Sequence, residues 1–340
     1  MSARHSISLA KRLRYRGEWL GVRAVAFTIP LFPRSVALAL ANFCGAAAAY
    51  LHLSGRRVAL SNLRAVFPEM PIARRRALVR QSYQHFARAQ ADLFWSPGLK
   101  GENVREIFDL AELDRFKREQ GDRPVIFCCL HYGGFELVAV AFGHCGLEST
   151  LITQDFKNKL LGSIFESLRE HSGHQTVRRE RALVRLFKAL RTGRSVGLAV
   201  DLTIPPNLPS VPVRCLGLLT SMTFGHAFLH RRSGAPIVPT YCEPLPDGRY
   251  RVVLRPPLEF DESATDQEIA QACWDSLEPA LRRHPAPWLW MYKHWRYRPM
   301  AAPRESYPDY ANESTWFEVR LARAAEEKLR RAATTQAAAG

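Results

Sequence analysis

The sequence predicts an α/β fold: a single domain with a mostly parallel central sheet flanked by helices, plus an N-terminal membrane-associated helix. Three observations predict it. Apolar runs of strand length alternate with amphipathic stretches of helical period. No internal repeat points to a solenoid or propeller. Residues 35–53, 19 in all, carry no charge. At 340 residues, 47% hydrophobic and 24% charged, the chain is long enough to bury a sizeable core and too apolar to be disordered throughout.

Residues 1–56 read as a basic N-terminal segment. Arg4, Lys11, Arg12, Arg14, Arg16, Arg23 and Arg34 stand before residue 35 against one acid, Glu18. The uncharged run that follows is closed by Arg56 and Arg57. It is just long enough to cross a bilayer core, which takes roughly 20 residues. It is Ala-rich and contains Asn42 and His52, so a core helix, an interfacial helix and a spanning helix all fit it. The flanking cations favour attachment to an anionic inner leaflet, with spanning left open. No small-residue cleavage site follows, which argues against a signal peptide.

Residues 57–300 hold the main domain. Residues 72–94 form an amphipathic helix, with Leu78, Tyr83, Phe86 and Ala89 at helical spacing and Arg74, Arg75 and Arg76 on the other faces. Residues 124–130 are a continuous apolar strand, followed at once by His131 and then by a helix over 135–142. Residues 181–191 are helical, Gly193 ends them, and 195–200 is a buried strand running into Asp201. A helix over 224–232 and a strand over 236–242 come next. Asp247-Gly248 then turns the chain into a returning strand over 250–254. Thr265 and Glu268 make a capping box for a helix that ends before Pro285. Residues 301–340 are expected to hold a charged helix over 316–331 and a frayed tail.

Forty-eight Lys+Arg against 32 Asp+Glu give a formal charge of +16, a surface that wants an anionic partner. The seven cysteines are scattered without a C-x-x-C, which fits a reducing compartment better than a disulfide framework or a zinc site. The chain lacks the G-x-x-x-x-G-K-[ST] phosphate loop, the G-x-G-x-x-G fingerprint, the G-x-S-x-G elbow and H-E-x-x-H. Those absences weigh against nucleotide hydrolysis, dinucleotide binding, serine-elbow hydrolysis and common zinc peptidase chemistry.

The remaining candidate is His131 with Glu136, an H-x-x-x-x-E pair at the end of a strand, where ligands of open α/β sheets gather. The spacing lets the Glu136 carboxylate fold back to one imidazole nitrogen and leave the other free to take a proton. Gly133 and Gly134 between them allow close backbone approach to a substrate and offer N–H groups at the helix start.

Around this pair the chain resembles the bacterial lipid A late acyltransferases, the lauroyl/myristoyl type within the wider lysophospholipid acyltransferase superfamily. The blocks are collinear over residues 17–300. Arg57, Asn62-Leu63 and Phe67-Pro68-Glu69 come first, then the helix of 72–94, the His131 to Glu136 block, and Arg169 in Ser-Leu-Arg-Glu. Residues 190–201, 211–225, 233–239 and the tryptophan-and-basic block of 287–299 follow. Three departures fall on the acceptor or acyl-chain side. They are Asp201-Leu202, Cys215-Leu216 before Gly217, and the Pro-rich segment 204–212.

The resemblance implies acyl transfer from a thioester donor, acyl carrier protein or acyl-CoA, to a hydroxyl of a lipid acceptor, a lipid A precursor foremost. It implies His131 as general base and Glu136 as its orienting carboxylate. Arg169 and the amides near Gly133 and Gly134 would act as oxyanion donors, and Asp201 would position Arg169 or the acceptor. No metal and no cofactor are called for. The other partners expected are an anionic membrane lipid surface and a glycolipid acceptor, with no nucleic acid; the location is the cytoplasmic face of the bacterial inner membrane. Another glycolipid or a glycerolipid as acceptor, or water in a membrane-bound thioesterase, remain alternatives.

Overall fold

The computed structural model describes residues 8–121, 123–153 and 156–339; Arg4 of the basic segment lies outside them. Four helices lead: α1 (Leu9–Thr28), α2 (Arg34–Leu51), α3 (Leu53–Val66) and α4 (Ile72–Trp95). After α5 (Val104–Ile107) come β1 (Phe108–Asp109), α6 (Ala111–Gln120), β2 (Ile126–Gly133), α7 (Phe135–His144) and β3 (Ser149–Thr153). Next are α8 (Gly162–Glu170), β4 (Gln175–Arg178), α9 (Ala182–Arg191) and β5 (Ser195–Ala199). A hairpin of β6 (Val211–Cys215) and β7 (Leu218–Met222) precedes α10 (Gly225–Ser233), β8 (Ile237–Pro244), β9 (Tyr250–Leu254) and α11 (Asp266–Arg283). The chain closes with β10 (Tyr297–Arg298), β11 (Asn312–Glu313) and α12 (Thr315–Ala339).

Seven strands form one sheet in the order β1-β9-β8-β2-β5-β3-β4, parallel throughout except where β8 and β9 pair antiparallel. The α/β architecture is thus the one the alternating pattern predicts, and the antiparallel pair is the return at Asp247-Gly248. The capping box forms as read: the Thr265 hydroxyl accepts from the Glu268 amide while the Glu268 carboxylate accepts from Thr265. Gly193, at φ 82°, sits just past α9 in the left-handed region that ends helices.

Both faces of the sheet are covered. Along β2, Ile126, Cys128, Leu130 and Tyr132 join the larger core, built with α3, α4, α9, α10, α11 and four buried tryptophans. Phe127, of opposite parity, joins a second core under α6 and α7. Trp288, Trp290 and Trp295 are fully buried. The tryptophans of the 287–299 block are therefore core, while its Lys293 and Arg296 stay exposed.

Several elements escape the sequence pattern. β3, β4 and α8 are short and partly exposed, and residues 211–222 form an antiparallel hairpin that no strand pattern marks. α12 continues to Ala339 through residues expected to fray, which suits their alanine content, the strongest helix former.

One buried polar contact ties the N-terminal helices to the sheet. Asp92 of α4 accepts two bonds from the Arg34 guanidinium (2.8 and 3.1 Å) and one from the Tyr250 hydroxyl (2.7 Å). Asp92→Ala leaves Arg34 unpaired in a largely desolvated place. A loss of about 3–5 kcal/mol of stability is expected, read by chemical denaturation.

Candidate active site

β2 and β5 are neighbours in the sheet, and their register fixes the site. Ile126 faces Val196 and Cys129 faces Ala199, a constant offset of 70. Carried two residues further, the same offset sets His131 opposite Asp201, just past the last paired residues of the two strands. Asp201 is fully buried. Its Oδ1 accepts from His131 Nδ1 (2.7 Å), and its Oδ2 accepts from the His131 amide (2.9 Å) and from Trp288 Nε1 (2.9 Å).

This geometry corrects the role given to Glu136. Its carboxylate does not reach the imidazole. It takes two bonds from Arg169, Nε to Oε2 at 2.9 Å and Nη2 to Oε1 at 2.6 Å. The physical reason is direction: Glu136 lies in the first turn of α7, which places its side chain towards α8, while β5 presents Asp201 in line with His131. Asp201, in turn, touches neither Arg169 nor open solvent.

The glycines also change meaning. The Gly133 amide donates to Pro287 O (3.0 Å) and the Gly134 amide to Cys242 O (3.2 Å), so neither is free for a substrate. A side chain on Gly133, at φ 55°, would meet Cys242 O at 2.1 Å; on Gly134 it would meet the Tyr250 ring at 2.8 Å. They are glycines because β8 and β9 press against this turn. No side chain caps the N-terminus of α7; the Leu137 and Val138 amides donate to Gly134 O (2.8 and 3.2 Å), which leaves those of Phe135 and Glu136 without a protein acceptor among the described residues.

The electrostatics follow from the pairing. Asp201 is ionised: burial alone would raise its pKa, but the charge and hydrogen bond of His131, with His294 and Trp288, hold it at about 2. An ionised carboxylate only accepts, so His131 Nδ1 carries the proton and Nε2 the lone pair. Among the described residues Nε2 has no protein partner, and 22% of the side chain is exposed. Burial works against a charged imidazole; Asp201, by charge and hydrogen bond and with Glu136, outweighs it, and the pKa rises above the usual 6.5. His294, stacked 3.9 Å from Trp288, is kept neutral chiefly by burial, down to about 4.

Cys129 lies beside the pair, but burial, then Asp201 and Glu136, push its thiol up to about 12. It is no thiolate nucleophile. What remains is a buried carboxylate, an oriented imidazole with a free nitrogen, and a second charged pair next to it. Such a set can take a proton from a hydroxyl and stabilise the imidazolium that results. Among the described residues no three His, Cys, Asp or Glu side chains cluster so as to hold a metal ion.

The chain is similar to known proteins of one kind. Residues 5–297 match the family model described as bacterial lipid A biosynthesis acyltransferase. A lipid A biosynthesis myristoyltransferase of Escherichia coli (strain K12) is 25% identical over 289 residues, 82% of this chain and 87% of that protein. A lipid A biosynthesis lauroyltransferase of the same organism is 26% identical over 301 residues, 85% and 94% of the two chains. The lipid A biosynthesis acyltransferase 1 of Shigella flexneri is 24% identical over 289 residues, 82% and 87%.

Proposed function

Because the chain belongs to the bacterial lipid A biosynthesis acyltransferase family and is an acyltransferase, we propose that it moves a fatty acyl chain from a thioester to a hydroxyl of a lipid A precursor, with His131 as base. The observation that carries the mechanism is His131 held by Asp201 through Nδ1, with Nε2 free. Nε2 takes the proton of the acceptor hydroxyl as its oxygen attacks the thioester carbonyl. The tetrahedral intermediate then expels the thiolate, which receives that proton from the imidazolium. Asp201 is the positioning residue throughout: it sets the tautomer and stabilises the imidazolium without taking the proton.

The developing oxyanion needs donors. The Phe135 and Glu136 amides at the start of α7 and the Nη1 edge of Arg169 supply them, since Glu136 occupies only Nε and Nη2. Glu136→Gln weakens that clamp while leaving His131–Asp201 intact. It is expected to lower kcat about 10–100-fold, checked by steady-state kinetics.

The net charge of +16 favours an acidic acyl carrier protein over acyl-CoA as donor. The setting is the cytoplasmic face of the inner membrane, where the basic N-terminal segment meets anionic lipid. Purified protein given a radiolabelled acyl carrier thioester and a lipid A precursor is expected to yield the acylated lipid. Release of free fatty acid instead makes it a thioesterase. Transfer only to a glycerolipid makes the acceptor assignment wrong. Mass spectrometry of lipids from cells with and without the gene then gives the acyl chain length.

A further inference from the structure

We infer that α1 and α2 hold the enzyme on one leaflet, lying along the membrane surface, and that neither helix crosses the bilayer. This rests on the membrane setting proposed above.

α2 is the one described helix long and apolar enough to cross. Its 18 residues reach about 27 Å, slightly short of a hydrocarbon core of about 30 Å. Contacts at three points pin it to α4 along its length. Arg34, at its start, pairs with buried Asp92 and also donates to Gly248 O (2.9 Å). At its middle, Gln84 Nε2 donates to Asn42 O (3.3 Å), and Gly45 lies so close that a Cβ would sit 2.7 Å from Gln84 Cα. Past its end, His52 Nδ1 meets the Tyr83 hydroxyl at 3.0 Å. α4 itself carries Arg74, Arg75, Arg76, Arg80 and Arg88. It cannot follow α2 into hydrocarbon, and α2 cannot leave without breaking the Arg34–Asp92 pair.

The outward faces fit a lipid surface. On α1 and the turn after it, Leu13, Leu20, Phe27 and Leu31 are each 59–71% exposed. With Gly17 and Ala24 they recur every three or four residues, one stripe along the helix. The opposite face is spent on protein: Val22, Ala26 and Ile29 pack on Leu93, Phe94 and Leu168. On α2, Val36, Leu40, Phe43 and Leu51 are 40–80% exposed at helical spacing and have no charge between them.

Arg12, Arg16 and Arg23 fall together on one flank of the α1 stripe, at 100° per residue. The acid of α1, Glu18, is already bonded by Arg14 (3.3 Å) and Asn158 (3.0 Å). An apolar stripe flanked by arginines suits an anionic leaflet, with the stems buried and the guanidiniums at the phosphates. A second copy of this chain would bring the same cations against themselves.

The arrangement also brings lipid to the base. α4 carries α2 on one side and meets α7 on another, where Phe86 stacks on Phe135 (6.4 Å). The Phe135 ring lies 5.1 Å from that of His131. An acceptor can offer its hydroxyl there while its tails stay in the leaflet.

The test uses the full chain on vesicles of phosphatidylethanolamine and phosphatidylglycerol, with no donor or acceptor present. Nitroxide labels are placed by Leu13→Cys, Val36→Cys, Phe43→Cys and Leu51→Cys in a Cys44→Ser background, and their depth is read by power saturation. All four are expected at similar, shallow depth. Phe43 near the midplane with Val36 and Leu51 at opposite surfaces overturns the inference, as does burial of the labels in a dimer without lipid. Leu40→Asp with Phe43→Asp is expected to weaken vesicle binding at least tenfold yet keep acyl transfer to acceptor dispersed in detergent. Undiminished binding also overturns it. Shallow labels in a protein inactive towards every lipid acceptor overturn the functional reading and leave the anchor standing.

Discussion

His131→Ala is expected to lower kcat by about 10²–10⁴-fold while leaving KM close to unchanged. The imidazole contributes the free Nε2, which acts when the acceptor loses its proton, so its removal costs transition-state stabilisation more than binding. The fold should survive. The Asp201 carboxylate keeps two of its three donors, the amide at position 131 and Trp288 Nε1. A melting temperature near that of wild type beside the kinetic loss separates this result from simple unfolding. Activity within tenfold of wild type would mean that another group is the base.

Asp201→Asn is expected to come close to that loss, about 10²–10⁴-fold in kcat, although Asp201 touches no substrate. An amide in its place lets its NH₂ face the imidazole, favours the wrong tautomer and leaves the imidazolium without its counter-charge. A pH profile separates this from a structural defect. The base works as neutral imidazole, so wild-type kcat/KM rises with pH through a pKa above the usual 6.5. With Asn, the two largest raising influences on His131 disappear while burial still disfavours the charged form. The rising limb therefore moves to lower pH even as the maximum falls. A limb that stays in place at lower activity would leave Asp201 with a packing role only.

Much of the fold was legible in the sequence because its signals are local. The apolar run before His131, the Thr265 capping box and the turn at Asp247-Gly248 are each written in a few adjacent residues. β3 and β4 were not legible, because their side chains are only partly buried and their apolar pattern is weak. The burial of Trp288, Trp290 and Trp295 was not legible for another reason: composition puts them among cations, and only the tertiary fold turns the rings inward.

The site was half legible. His131 stood out as a polar residue at the end of a buried strand. Asp201 carried the same signal at the end of 195–200. What the sequence hides is strand order: β2 and β5 are neighbours although β3 and β4 intervene in the chain. Spacing therefore offered Glu136, five residues away, over Asp201, 70 away. Arg169 was found by resemblance, but its partner was not. Two strands ending in polar groups, tried as neighbours, would have exposed the pair.

The central claim is that Asp201, and not Glu136, holds the proton on His131 Nδ1. Titrating the His131 ring by nitrogen-15 NMR in wild type, Asp201→Asn and Glu136→Gln tests it most directly. The expected result is a pKa above 6.5 in wild type, a large fall in Asp201→Asn and a smaller one in Glu136→Gln, with the Nδ1–H tautomer kept in the latter. A larger fall, or a change of tautomer, in Glu136→Gln would contradict it.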